Sequence, residues 1–319
     1  MSDNHHQGHN HDHDHDHGDV FHSHAPIGKM KLAFFLTLII LIVELVGGFI
    51  SHSLALLSDA GHVLTDIAAI GLSWFAMHQS QKPASDKFTY GYHRSGILAA
   101  FINAMTLIVI AVVILYEAID RFKNPQPVGS TWMFISASVG LIMNLYLGLG
   151  LSKEENINVK SAVLHMIGDA MASAGVIIGG IIILFTGWYM VDPILSVLIA
   201  ILIAFGAWKI VKQTVGILME GTPKGISLEE IMEKICSVNG VLNVHDLHVW
   251  SITSGKNALS CHAVLNNQIS FQESQVILRE IEHKLQHQGI GHVTIQVENE
   301  EHPHDESAIC SITDHEHQH

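Results

Sequence analysis

His62-Val63-Leu64-Thr65-Asp66 and His165-Met166-Ile167-Gly168-Asp169 are two copies of one five-residue word. Each puts an imidazole four residues before a carboxylate, inside a stretch apolar and long enough to cross a membrane. On an α-helix residues i and i+4 share a face, one turn apart. Two such helices facing each other offer two nitrogen and two oxygen donors, a tetrahedral set suited to a borderline metal such as zinc. A single ionisable pair in a span could serve packing alone. Two copies of HxxxD on separate spans point to a shared metal site.

The rest of the chain agrees with burial in lipid. Of 319 residues 48% are hydrophobic and only 14% charged, with mean hydropathy +0.32; a soluble domain carries about 25% charged residues. The net charge of −14 argues against nucleic acid as a partner, because phosphate binding needs clustered Lys and Arg. Six apolar stretches, at 30–51, 55–78, 95–119, 130–151, 160–185 and 192–212, each reach the roughly 20 residues that a spanning helix needs. Lys29, Lys31, Lys82, Lys87, Arg94, Lys153, Lys160, Lys209, Lys212 and Lys224 fall on one side, and only Arg121 and Lys123 on the other. That bias predicts both termini in the cytosol.

Four segments follow. Residues 1–28 form a His- and Asp-rich tail whose few apolar residues cannot support a core, and disorder is expected. A weak metal-collecting role suits it; a purification tag would sit in the same place, though the alternation with Asp argues against plain oligohistidine. Residues 29–215 hold the six spans. Residues 220–298 read as a compact α+β domain of order αββαβ, ferredoxin-like in kind: a helix from Ser227 with a capping box to Glu230, strands 241–252 and 257–265, a helix at 271–287 and a strand at 292–298. Residues 299–319 are a second His-rich tail. Cys236, Cys261 and Cys310 are not paired at short spacing, so a reducing cytosol is the natural setting.

The second span carries a polar stripe of Asp59, His62, Asp66 and Ser73, and the fifth repeats it as His165, Asp169 and Ser173. Glu44, Asn103, Glu117 and Asn144 are weaker candidates, for which packing or interhelical hydrogen bonds are the expected role. Asp192, before Pro193 at a span start, reads as a helix cap.

Ser58-Asp59-Ala60-Gly61-His62 running into Asp66, Phe88-Thr89-Tyr90-Gly91-Tyr92-His93-Arg94 before the third span, His165 to Asp169, six spans and the αββαβ tail together resemble the cation diffusion facilitator family, in its zinc-transporting branch. The likeness covers nearly the whole chain. It implies a homodimeric secondary transporter in a lipid bilayer, not an enzyme, that exports Zn2+, and with it Cd2+ or Co2+, in exchange for protons. It implies His62, Asp66, His165 and Asp169 as ligands of the transported ion. It also implies metal in the tail domain at His245, His262 and Glu298, with His248 a further candidate, and a peripheral ion near His93 and His78. Regular alternation would put His245 and His248 on opposite faces of a strand. The short loop Ser152 to Val159, where some animal relatives carry histidines, implies the bacterial, metal-resistance kind, in the cell's inner membrane. The alternatives are a membrane-embedded metal-dependent hydrolase and a metal sensor. The first lacks an HExxH word and an open coordination position, and the second lacks an output domain.

Overall fold

A computed structural model describes residues 27–151, 157–253 and 255–300. The His-rich tails, residues 152–156, residue 254 and Cys310 lie outside the described residues.

Six helices come first: α1 (Ile27–Ser51), α2 (Leu54–Ser80), α3 (Ser95–Lys123), α4 (Ser130–Leu151), α5 (Ile157–Thr186) and α6 (Val191–Leu218). All six are long and apolar enough to cross a membrane. Their outer faces carry exposed Val109, Val113, Tyr116, Leu202 and Phe205, the reverse of a water-soluble bundle. Lipid solvates these side chains, so the helices gain by close packing more than by hiding apolar area. Small residues supply that packing. A Cβ at Gly47 of α1 would overlap the Ser136 side chain of α4, and one at Gly140 of α4 would overlap the Glu44 carboxylate. Leu54, Leu56, Leu107, Ala111, Met133, Val176 and Ile203 form the core between the helices.

A buried carboxylate pins one end of this bundle. Asp192 accepts hydrogen bonds from Ser53 Oγ at 2.5 Å, Leu54 N at 2.8 Å and Ala55 N at 3.2 Å, and Arg121 Nη1 lies 3.3 Å away. It is a cap, as the sequence suggested, but its target is α2 and not its own helix. The first turn of a helix leaves amide donors unpaired, and in lipid no water replaces the missing acceptors. Arg121 also donates to the His52 carbonyl oxygen and pairs with Glu117 at 3.4 Å, which ties down the α1–α2 turn. His52 sits there with φ 53°.

After α6 come α7 (Leu228–Cys236), β1 (Val241–Thr253), β2 (Lys256–Leu265), α8 (Phe271–Gln286) and β3 (Ile290–Asn299). The sheet order is β1-β2-β3; β1 and β2 run antiparallel, β2 and β3 parallel with α8 as crossover. Ile231, Ile235, Val249, Leu259, Cys261, Ile277, Ile281 and Leu285 form its core, on one face of the sheet. Ser227 Oγ accepts from Glu230 N at the start of α7, and a full capping box closes on α8 between Ser270 and Glu273.

By its contacts the chain divides into two compact units, residues 1–71 with 103–210, and residues 72–102 with 211–319. The second therefore includes the α2–α3 loop. There Arg94 pairs with Glu220 at 3.0 Å and the Tyr90 ring meets the His292 ring edge-on.

Candidate metal sites

In the first unit, His62 and Asp66 lie one turn apart on α2 and face Asp169 of α5. His62 Nε2 is 3.4 Å from Asp169 Oδ1 and 3.8 Å from Asp66 Oδ2. Two ligands about 2.05 Å from a tetrahedral zinc lie about 3.3 Å apart. The donor atoms of all three residues fall within 4.8 Å of one another. They are thus spaced nearly as a coordination shell requires. His165 lies on α5 one turn before Asp169; its side chain, like that of Ser73, is outside the described residues. All three of these side chains are partly buried.

In the second unit, β1, β2 and β3 each place one residue of a second group on the sheet face opposite the helices. His262 Nδ1 lies 2.9 Å from Glu298 Oε1, and His245 Nε2 lies 3.2 Å from Glu298 Oε2. His245 and His262 are register partners across β1 and β2, with ring centroids 5.1 Å apart. Glu298 stands opposite Val264, two residues from His262 and so on the same face. Donor atoms of His245, His262 and Glu298 again fall within 4.8 Å.

The opposite-face expectation for His245 and His248 is overturned. Between the pairs His245–His262 and His248–Ser260, Asp246 and Leu247 stand opposite Cys261 alone. Asp246 has φ 51°. This is a β-bulge, and the extra residue returns His248 to the face of His245. His248 still falls outside the close set. Its Nε2 meets Asp246 Oδ1 at 2.9 Å, and Asp246 Oδ2 lies 3.5 Å from His262 Nε2. Asp246 therefore links the two imidazoles. Sequence alternation hid it, because without a bulge Asp246 and His248 would share the face opposite to His245 and His262.

Burial, then the Asp246 charge, pushes the Cys261 thiol up to about 12, so it stays a neutral thiol on the core face and is no rival ligand. His78 is exposed in the last turn of α2, and His93 is half-buried in the turns before α3. Neither belongs to a group of three or more metal-binding side chains among the described residues.

Both halves of the chain match known domains. A profile described as the cation efflux transmembrane domain matches residues 30–219, and one described as the cation efflux protein cytoplasmic domain matches residues 223–300. The chain is 46% identical over 274 residues to the cadmium, cobalt and zinc/H(+)-K(+) antiporter of Bacillus subtilis strain 168, an alignment covering 85% of this chain and 88% of that one. It is 41% identical over 276 residues to zinc transporter ZitB of Escherichia coli K12, covering 85% and 87%. It is 42% identical over 284 residues to metal cation efflux system protein CzcD of Cupriavidus metallidurans, covering 87% and 89%.

Proposed function

This chain belongs to the cation diffusion facilitator family, a family of transporters and not of enzymes, and from that premise we propose that it exports zinc from the cytosol in exchange for protons. Cadmium and cobalt, named for the Bacillus relative, are further cargoes under the same reading. The observation that carries it is the grouping of His62, Asp66 and Asp169 within coordination distance in helices that cross the membrane. His165, one turn from Asp169, completes the set.

The donor chemistry explains the exchange. Zinc binds neutral imidazole and ionised carboxylate, so it competes with protons for the same atoms. A free imidazole titrates near pH 6.5, within the range that separates the two sides of a cell membrane. With both termini cytosolic, the more acidic outer side protonates the histidines and releases the metal outward. A mixed nitrogen and oxygen set favours zinc over magnesium or manganese. The protein works in this reading as a homodimer in a bacterial inner membrane, with the cytoplasmic domain as dimer contact. His245, His262 and Glu298 hold a regulatory or structural zinc there, with Asp246 and His248 as its neighbours.

Purified protein in sealed vesicles, assayed for zinc flux under an imposed pH gradient, tests the reading. His62→Ala and Asp169→Ala are each expected to lower flux by about tenfold to 100-fold, the scale on which a metal site loses affinity when its support is removed. Flux that ignores the pH gradient, or both substitutions, overturns it.

A further inference from the structure

One helical turn from the metal ligands lies a group of oxygens that zinc binding leaves unused. Glu44 of α1 is fully buried, and neither of its carboxylate oxygens has a hydrogen-bond partner among the described residues. Asp59 of α2 is buried too and accepts from Ser173 Oγ of α5 at 3.2 Å. A Cβ on Gly140 of α4 would meet both Glu44 Oε1 and Ser173 Oγ, so the two oxygens border the space that this glycine keeps open. Asp59 precedes His62 by three residues and Ser173 follows Asp169 by four. Both steps lead toward the end of the bundle that bears the α1–α2 and α5–α6 turns.

Asp192 shows how this fold treats a buried carboxylate kept for structure: three hydrogen-bond donors and an arginine surround it. Glu44 has nothing comparable among the described residues. The charged groups in its field are Asp59 and His62 of α2 and Asp169 of α5, and two of those three are carboxylates. A buried carboxylate without donors, facing others of its kind, is stable only with a cation. The donors here are all oxygen, hard ligands that compete poorly for zinc with the imidazole-bearing set beside them.

We propose that Glu44, Asp59 and Ser173 form a further site for a monovalent counter-cation of the exchange, proton or potassium, one turn beyond the histidines that themselves exchange protons with zinc. The proposal rests on the exchange reading above and adds its coupling. A divalent ion at His62, Asp66 and Asp169 and a monovalent ion one turn away repel through a water-poor interior. Filling one site therefore empties the other, and net transport needs both.

The test uses the full chain in proteoliposomes. Exchange of radioactive zinc for unlabelled zinc, with no gradient, requires the metal site alone. Net zinc flux is then driven either by a pH gradient, with potassium replaced by a large organic cation, or by a potassium gradient at clamped pH. Glu44→Gln and Asp59→Asn are each expected to keep zinc–zinc exchange within about threefold of wild type and to lose about tenfold or more of net flux under at least one gradient. The gradient that no longer drives flux names the cation. Net flux retained under both gradients overturns the proposal. So does loss of exchange in step with net flux in both variants, which would mean that these oxygens serve packing or the metal itself. Wild-type protein driven by neither gradient refutes the exchange reading itself, a failure distinct from that of the site.

Discussion

Replacing Asp192 with alanine should loosen the bundle at the α1–α2 turn. The side chain is fully buried and gathers Ser53 Oγ, the amides of Leu54 and Ala55, and Arg121. A lost N-cap alone costs about 1 kcal/mol, and breaking a buried ion pair by removing one partner costs about 3–5 kcal/mol. Arg121 keeps Glu117 and the His52 carbonyl, so the lower end applies, about 3 kcal/mol or a factor of about 100 in the unfolding equilibrium. Asparagine keeps an acceptor oxygen but not the charge and should cost about half as much, near 1.5 kcal/mol. Thermal unfolding of the detergent-purified chain is the assay. At about 2 °C per kcal/mol the alanine variant should melt about 6 °C below wild type, with asparagine between. An alanine variant within about 1 °C of wild type, or an asparagine variant below it, would refute the capping argument.

Three further outcomes are expected. Zinc affinity at the intramembrane site should fall as the pH drops from about 7.5 to about 5.5, because protons compete with zinc for His62 and His165, and the fall should be smaller in His62→Asp, measured by radioactive zinc binding. Zinc at about 100 times its dissociation constant should stabilise the cytoplasmic domain by about 2.7 kcal/mol, read as slowed hydrogen exchange in β1–β3, and Glu298→Gln should abolish most of that gain. Iodoacetamide at pH 8 should modify exposed Cys236 and spare Cys261 until the domain unfolds, because burial holds that thiol protonated; mass spectrometry of the labelled peptides decides.

By itself the sequence determined what depends on local periodicity. Runs of about 20 apolar residues become spanning helices whatever surrounds them, because a bilayer leaves the backbone few other ways to satisfy its hydrogen bonds. A four-residue spacing puts His62 and Asp66 on one face as soon as α2 forms, whereas His262 and Glu298 share a face only through the register of β2 against β3. Tertiary structure decided what depends on which groups meet. The sequence marked Asp192 as a cap, but only helix packing aims it at α2. Glu44 reads as one more polar residue in a span until α4 and α5 leave it buried beside Asp59 without a donor. The bulge at Asp246 has no local signature, because it arises from the register of β1 against β2, and it alone turns His248 to the face of His245. Spacing is a property of one element, whereas a coordination shell, a cap between helices and a bulge each belong to a pair.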